Sequence, residues 1–253
     1  MRYIDSHSHL DFSEFDNNRS VVIERARNAG LEKIIVSATV ANRWHLITEL
    51  ADRNPIIATA YGLHPMFMDK HLDDHLELLY AVIQNQNPVA VGEIGLDYFI
   101  PNPDKSAQLK FFVQQLEIAN EFQLPVIIHA RKSLDIVLRE LRKFPQLSGS
   151  IHSFSGSDQQ ARQLIDLGFY LGFGGPITYT RATKLRKLVA TLPLESILLE
   201  TDSPDQPDSS HCGERNEPSY LPIIAQVIAD LRGVNINDVA EQTFLNTKHL
   251  FNL

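Results

Sequence analysis

The sequence predicts an α/β protein and, within that class, a (β/α)8 barrel of the TIM type. Eight short apolar segments alternate with segments of helical periodicity along the whole chain. The apolar segments lack polar residues at alternate positions, a pattern typical of parallel strands that are buried on both faces. Eight strand–helix units in 253 residues match the size of such a barrel. A doubly wound open sheet is the alternative, but no Gly-x-Gly-x-x-Gly pattern follows the first strand.

The elements follow one another in a regular order. The apolar segments predict eight strands, at residues 3–6, 33–37, 56–60, 89–91, 126–128, 149–151, 170–173 and 197–199. Apolar residues at helical spacing predict helices between them, at residues 20–29, 43–52, 73–84, 105–122, 133–143, 157–167 and 181–191, and two closing helices at 219–231 and 236–250. Gly30 follows the first helix at a position typical of a helix C-terminus. No linker, charge block or internal repeat divides the chain, so we expect residues 1–253 to form a single domain.

The composition excludes several classes of protein. The formal net charge of -8 argues against a general polyanion-binding protein, so contact with nucleic acid requires a local basic patch or bound metal. No apolar run approaches the ~20 residues of a membrane span, and we find no signal-peptide pattern. Cys212 is the only cysteine, which rules out an intramolecular disulfide and favours a reducing compartment. We therefore expect a cytoplasmic protein with no membrane partner and no obligate protein partner.

Two histidines, His7 and His9, stand at the end of the first predicted strand. Residues two apart in a strand point to the same face, so the two imidazoles can be directed at one point. Neutral imidazole is a common ligand of zinc and of other borderline divalent metals. The spacing indicates a metal site that other parts of the chain must complete.

Further His, Glu and Asp residues follow the other apolar segments, at the strand ends where chemistry is located in such barrels. The full set of candidate ligands is His7, His9, Glu93, His129, His152 and Asp202. We assign the first two histidines and Asp202 to one metal and the other two histidines to a second metal, with Glu93 as the bridge. Two metals about 3.5–4 Å apart can clamp the attacking and leaving oxygens of a displacement and provide hydroxide near neutral pH. Asp202 can accept the proton of the attacking water.

Longer motifs around these residues span nearly the whole chain. They are Asp5-Ser6-His7-Ser8-His9, Gly62-Leu63-His64-Pro65, Gly92-Glu93-Ile94-Gly95-Leu96-Asp97, Pro125-Val126-Ile127-Ile128-His129-Ala130-Arg131, His152-Ser153-Phe154-Ser155-Gly156, Leu199-Glu200-Thr201-Asp202-Ser203-Pro204 and Arg215-Asn216-Glu217-Pro218. In this combination the chain resembles the TatD family of metal-dependent deoxyribonucleases, within the amidohydrolase-like barrels, and most resembles its bacterial YjjV-like branch. The resemblance implies a (β/α)8 barrel, a divalent-metal centre and hydrolysis of phosphodiester bonds, with DNA as the named substrate.

We therefore interpret the chain as a metal-dependent hydrolase of ester bonds. The main hypothesis is a deoxyribonuclease that uses two divalent metal ions (zinc, magnesium or manganese) and acts on DNA ends or single strands. One alternative is a hydrolase of a small ester, lactone, amide or aminoacyl-tRNA ester on the same centre. Related barrels of that kind often carry a carboxylated lysine on the fourth strand, where this chain has Glu93. A second alternative, a binding protein without turnover, is disfavoured by the full ligand set.

Residues beside the candidate ligands provide further predictions. His64 is a candidate phosphate contact or leaving-group acid, Arg131 is a candidate phosphate contact, and Arg215 is expected over the mouth of the barrel. Two carboxylates, Glu200 and Asp205, are candidates for orienting the metal ligands.

Several other polar and aromatic residues have both a structural and a functional interpretation. Aromatic residues that can stack an unpaired base, or simply pack, are Phe67, Tyr98 and Phe154. Basic residues that can guide a nucleic-acid backbone, or simply face solvent, are Arg181, Lys184, Arg186 and Lys187. Histidines expected to be solvated are His45, His71, His75 and His249.

Overall fold

The computed structural model describes residues 1–253, and its centre is a sheet of eight parallel strands. The strands are β1 Tyr3–Ser8, β2 Leu31–Ser37, β3 Ile57–Tyr61, β4 Ala90–Asp97, β5 Val126–Arg131, β6 Gly149–Ile151, β7 Phe169–Phe173 and β8 Ile197–Leu199. Each strand is hydrogen-bonded to the next one along the chain, in the order β1 to β8. The predicted (β/α)8 barrel is therefore confirmed.

Nine α-helices surround the sheet. They are α1 Arg19–Asn28, α2 Trp44–Arg53, α3 Asp74–Gln86, α4 Lys105–Phe122, α5 Leu134–Leu141, α6 Asp158–Asp166, α7 Thr183–Thr191, α8 Leu221–Arg232 and α9 Ile236–Phe251. One helix follows each of the first seven strands, and two helices follow β8. Apolar side chains of the strands and of the inner helix faces form one large buried cluster, as expected when a parallel sheet is covered by helices. No helix combines the length and the apolar character needed to cross a lipid bilayer.

Strands β4 and β5 extend further towards their carboxyl ends than their apolar segments predict. Their pairing continues from Ile94 beside Ile128 to Asp97 beside Arg131. Glu93 consequently lies within β4, and not after its end. Backbone pairing does not depend on side-chain polarity, so the predicted apolar runs mark only the first part of β4 and of β5 and miss the paired residues that follow.

The barrel closes between β1 and the segment that follows β8. The Asp202 N–H donates to the His7 carbonyl at 3.0 Å, and the His9 N–H donates to the Ser203 carbonyl at 2.8 Å. The backbone groups that join the first strand to the last part of the barrel thus belong to the same stretches that carry the candidate ligands.

A buried carboxylate, Asp5, reinforces this junction. It accepts hydrogen bonds from the Thr201 N–H at 2.9 Å, the Thr201 hydroxyl at 2.5 Å and the His7 N–H at 3.3 Å. Burial raises the pKa of Asp5 to about 7, against the lowering effect of these donors. Asp5 therefore ties β1 to the segment after β8 from inside the barrel.

Two buried glutamines of α4 fix the strand ends beside the mouth. Gln108 accepts from the Asp97 N–H and donates to the Asp97 carbonyl, both at 2.9 Å. Gln115 accepts from the Leu63 N–H at 2.7 Å and donates to the Leu63 carbonyl at 3.2 Å. These paired bonds satisfy backbone groups where the sheet ladder ends, and they hold the segments that lead into the functional residues.

Candidate metal centre

Glu93 lies at the floor of the mouth, and its two carboxylate oxygens face different imidazoles. Oε2 is 3.2 Å from His7 Nε2 and 3.3 Å from His9 Nε2. Oε1 is 3.1 Å from both His129 Nδ1 and His152 Nε2. One carboxylate thus connects the His7/His9 pair, which we call the first pair, with the His129/His152 pair, which we call the second pair.

Four ligand atoms form what we call the first set: His7 Nε2, His9 Nε2, Glu93 Oε2 and Asp202 Oδ1. The measured separations between these atoms run from 3.2 to 3.5 Å. Ligand atoms about 2.0–2.2 Å from a tetrahedral zinc ion lie roughly 3.3–3.6 Å apart. Glu93 Oε2 is also buried without a hydrogen-bond donor, as expected of an oxygen whose natural partner is a cation. The first set therefore fits a divalent metal ion.

Ser37, the last residue of β2, holds the outer nitrogens of the first pair. His9 Nδ1 is 2.9 Å from the Ser37 carbonyl oxygen, which can only accept, so the proton of neutral His9 is on Nδ1. His7 Nδ1 is 3.1 Å from the Ser37 hydroxyl. The lone pair of His9 Nε2 is consequently directed at the first set.

Asp202 is held from the opposite side by Gln206, whose amide donates to Asp202 Oδ2. The Gln206 oxygen in turn accepts from the Ser153 hydroxyl at 2.8 Å. Asp202 itself has a φ of 59°, in the left-handed region that Asp enters more readily than most residues. These contacts leave Asp202 Oδ1 free to face the first pair.

Three ligand atoms form the second set: Glu93 Oε1, His129 Nδ1 and His152 Nε2. The two nitrogens are 3.3 Å apart. His129 Nε2 donates to Asp97 Oδ2 at 3.0 Å, which leaves the lone pair of Nδ1 directed at the set. Three protein ligands at a cavity are typical of a catalytic metal site with an open position.

Glu200 and Asp205 were both predicted to orient ligands, and the structure places them differently. Glu200 is buried, accepts from the Ser153 N–H at 2.5 Å and lies 3.7 Å from His152 Nδ1, which is beyond hydrogen-bond distance. It occupies space beside Gly172, where a Cβ would overlap its carboxylate. Asp205 is exposed at the rim, and its carboxylate makes no hydrogen bond to the protein. Of the two carboxylates, only that of Glu200 lies beside the ring of a candidate ligand, whereas Asp205 contacts Asp202 through its backbone N–H at 2.9 Å.

His64 approaches Glu93 from the side of β3, close enough to form a potential metal-binding group with Glu93 and His129. Its Nδ1 accepts from the Met66 N–H at 3.1 Å, so the proton of the neutral ring is on Nε2. That nitrogen donates to Glu93 Oε1 at 2.9 Å. Burial lowers the pKa of His64 to about 4. His64 is therefore a neutral hydrogen-bond donor in this structure, and its protonated nitrogen does not act as a ligand.

Four of the candidate ligands have strongly perturbed pKa values: His9, His152, Glu93 and Asp202. Burial alone would lower the pKa of His9 and His152, but Glu93 and Asp202 raise it well above the usual histidine value. Burial alone would raise the pKa of Glu93 and Asp202, but the surrounding imidazoles lower it well below the usual carboxyl value. The site thus stabilises positive charge at its centre, and protons compete with a metal ion for the same nitrogens.

A cavity of about 530 Å³ opens above these residues. Its floor includes every candidate ligand except the fully buried His7. Its walls include the aromatic residues Phe12, Phe67, Phe154 and Phe173. Of the three residues considered for base stacking, Phe67 and Phe154 line the cavity and Tyr98 does not.

The predicted cationic contacts differ in position. Arg131 lines the cavity and forms no ion pair. Arg215 does not line it, because its guanidinium donates to the Glu14 carbonyl at 2.5 Å, to Asn18 Oδ1 at 3.0 Å and to Glu217 Oε1 at 2.7 Å. The predicted place of Arg215 over the mouth is corrected accordingly. None of the basic residues around α7 lines the cavity: Arg181, Lys184, Arg186 and Lys187.

Sequence reasoning misplaced one histidine and missed three supporting residues. His71, expected to be solvated, is buried and donates from Nε2 to the His64 carbonyl at 2.9 Å, so that expectation is wrong. Ser37 and Asp97 each end a strand, the same signal that identified the ligands, but neither was considered for a role. Gln206 lies in the loop after β8, and no sequence pattern indicates its contact with Asp202.

Histidines and carboxylates at the carboxyl ends of a (β/α)8 barrel mark an active site, and a ligand set of this kind serves metal-dependent hydrolysis. Comparison with known proteins agrees with the class of metal-dependent hydrolases. The family model for TatD related DNase matches residues 4–252, and the chain belongs to this family. It is a metal-dependent hydrolase of the TatD family.

Individual relatives match along their whole length. The chain is 40% identical to the uncharacterized metal-dependent hydrolase YjjV of Escherichia coli K12, over 100% of this chain and 98% of the relative. The crystal structure of YjjV superimposes with a TM-score of 0.96 at 39% identity, covering 100% of this chain and 98% of the other. A zebrafish (Danio rerio) protein named as a putative deoxyribonuclease, tatdn3, is 31% identical over 98% of this chain and 97% of its own.

Proposed function

We propose that this hydrolase is a deoxyribonuclease that cleaves phosphodiester bonds of DNA at accessible ends or in single strands, with two divalent metal ions. The observation that carries the proposal is the position of Glu93, whose two oxygens face the two histidine pairs separately at 3.1–3.3 Å. A carboxylate placed in this way is suited to bridge two cations. DNA as the substrate is supported by the family description and by the name of the zebrafish relative.

The first set would hold one ion and the second set the other. Bound there, divalent cations supply stabilisation of negative charge on the phosphoryl oxygens and a water of lowered pKa. Zinc, magnesium and manganese all remain candidates, since imidazoles favour zinc and phosphoryl chemistry often uses magnesium.

Two side chains of the protein would contribute directly to the reaction. Asp202 lines the cavity, and its carboxylate would accept the proton of the attacking water. His64 also lines the cavity, and its Nε2–H, which donates to Glu93 Oε1 in this structure, would turn to donate a hydrogen bond to a phosphoryl oxygen once that carboxylate oxygen is bound to metal. The fixed tautomer of His64 favours this role over that of a leaving-group acid.

The experiment that tests the proposal compares substrates on one protein preparation. Purified protein is supplied in turn with zinc, manganese and magnesium and is offered a short single-stranded DNA, a blunt duplex, an aryl phosphodiester and a simple aryl ester. We expect metal-dependent cleavage of DNA that is lost in Glu93→Gln. Ester turnover with intact DNA would keep the metal-dependent hydrolase and overturn DNA as its substrate, in favour of a small ester, lactone or amide.

A further inference from the structure

A second groove of about 560 Å³ adjoins the cavity at the mouth of the barrel. The groove and the cavity share three lining residues, Ala130, Arg131 and Ser155. Ala130 and Arg131 directly follow His129, so the groove begins beside the second pair. A polymer bound at the metal centre can therefore reach the groove across these three residues.

The boundary between cavity and groove is formed by a cation and an exposed aromatic ring. The Arg131 guanidinium lies 4.0 Å from the centre of the Phe99 ring. Phe99 is 56% exposed, which is unusual for a large apolar side chain and leaves part of the ring open to a ligand. A guanidinium that stacks through its face keeps its N–H groups free in its own plane, where they can bind a phosphate in bidentate fashion.

One carboxylate, that of Asp97, holds both His129 of the second pair and the backbone of Phe99. Asp97 Oδ2 accepts from His129 Nε2 at 3.0 Å, and Asp97 Oδ1 accepts from the Phe99 N–H at 2.8 Å. The Tyr98 N–H donates to the Arg131 carbonyl at 2.9 Å. Phe99 and Arg131 are thus held on the ends of β4 and β5, at a fixed distance from the candidate metal ligands.

Charge at the mouth is distributed unevenly. The groove side carries Arg131, which has no carboxylate within 4 Å, and Lys132. The one acidic residue that lines the groove, Asp135, accepts from the Gln160 amide at 2.6 Å. The opposite rim, after β8, carries the exposed and unpaired Asp205. A chain of phosphates that leaves the metal centre is therefore attracted towards the groove and repelled from the β8 side.

We propose that Phe99 and Arg131 form a subsite for the nucleotide next to the scissile phosphate of single-stranded DNA. The base stacks on the open part of the Phe99 ring, and the Arg131 guanidinium binds the adjoining backbone phosphate. This inference rests on the proposed function, because it concerns a polymer cleaved at the same metal centre. It makes Phe99 and Arg131 determinants of substrate length and not catalytic residues.

The test compares a short oligothymidine with a small aryl phosphodiester that is too short to reach the groove. For each variant, the quantity measured is the ratio of kcat/KM for the oligothymidine to kcat/KM for the diester. Phe99→Ala is expected to lower this ratio roughly tenfold, since it removes one base-stacking contact. Arg131→Gln is expected to lower the ratio and to reduce the slope of log KM against log salt for the oligothymidine by about 0.7, the share of one phosphate contact to a single strand.

Arg2→Gln is the matched control. Arg2 lies 4.4 Å from the centre of the Phe244 ring and is half-exposed, but it precedes β1 at the opposite end of the barrel. The Arg2→Gln substitution removes the same charge from a similar cation–aromatic pair. The ratio of kcat/KM values and the salt slope should therefore stay at their wild-type values.

The outcomes separate the two proposals. If the wild type cleaves both substrates and the ratio is unchanged in both groove variants, the subsite is wrong and the deoxyribonuclease stands. If Arg2→Gln moves the salt slope as far as Arg131→Gln does, general charge and not a phosphate contact is responsible, and the subsite is again wrong. If the wild type turns over the diester and leaves all DNA intact, the proposed function fails and the subsite fails with it.

Discussion

The first and second pairs offer the same kind of ligand atom, but the chain holds them by different means. The first pair is fixed by Ser37, and the contact to His9 uses a backbone carbonyl. In the second pair, His129 depends on the side-chain carboxylate of Asp97, and His152 Nδ1 has no hydrogen-bond partner. The first set has four ligand atoms and the second has three. For the two ions proposed above, this difference would favour retention of the ion at the first set and sharing of the ion with substrate at the second.

The shared residue Glu93 gives the largest expected effect, because its loss removes a ligand from both sets. Glu93→Gln keeps the side-chain volume and removes the charge, and we expect kcat/KM to fall by at least roughly 1000-fold, since metal-ion stabilisation of the transition state contributes several kcal/mol. Bound metal measured by mass spectrometry should fall in parallel. Glu140→Gln is the control, because Glu140 is also buried but pairs with Arg139 and Lys143 away from the site. Full metal content in Glu93→Gln would contradict the bridging role.

Substitutions of residues that hold the ligands should have smaller effects, and these effects on metal affinity should differ between the two pairs. Asp97→Asn replaces the acceptor that orients His129, and we expect roughly 10–100-fold weaker metal binding at the second set. Ser37→Ala removes the hydroxyl beside His7 but keeps the carbonyl that binds His9, so the loss at the first set should be smaller, below about tenfold. Competitive metal titration of each variant measures both values. A larger loss in Ser37→Ala than in Asp97→Asn would reverse the comparison.

Stepwise removal of metal tests retention directly. Because the second set has one ligand atom fewer, a chelator titration should release metal in two steps, with midpoints at least about tenfold apart. Asp202→Asn removes the charge of the fourth ligand of the first set and should bring the two midpoints together. A single step in the wild-type protein would show that the two sets do not differ in affinity.

Competition between protons and metal for the histidine nitrogens gives the smallest expected effect. Burial would lower the pKa of His129, but Asp97 and Glu93 raise it above its usual value, so the ring keeps its proton to higher pH. Metal must displace that proton, and the apparent affinity should therefore rise with pH through the neutral range, by at most roughly tenfold per pH unit for each proton released. Asp97→Asn lowers the His129 pKa and should flatten this dependence. Calorimetry in buffers of different ionisation enthalpy counts the protons released.

The sequence predicts the ligand atoms better than it predicts what holds them. Strand-end histidines such as His7 and His129 are visible because apolar runs end beside them, and the spacing of His7 and His9 places those two on one face. The contact to His9 comes from a backbone carbonyl, which leaves no trace in the residue type of Ser37. The place of Arg215 depends on partners about 200 residues away in the chain, which a local pattern does not contain.

The boundaries of the strands show the same limit of sequence-based prediction, namely that local patterns do not contain contacts between distant segments. Only the start of β4 is predicted, at Ala90 and Val91, and the strand continues to Asp97 because its ladder with β5 extends beyond the predicted segment. Burial of His71 is also a tertiary effect, since its ring stacks on Phe111 of α4, with the ring centres 5.8 Å apart. Hydrophobic pattern determines which segments enter the barrel, whereas hydrogen bonds between distant segments determine how the site is oriented.

The junction between β1 and the segment after β8 has a consequence for biosynthesis. Asp5 and Thr201, which are joined there, are 196 residues apart in the chain. The first set draws ligands from both sides of that junction, so a nascent or cleaved chain without the segment after β8 lacks Asp202 and has an incomplete centre. We therefore expect hydrolytic activity that depends on the first set only from a chain that includes the segment after β8.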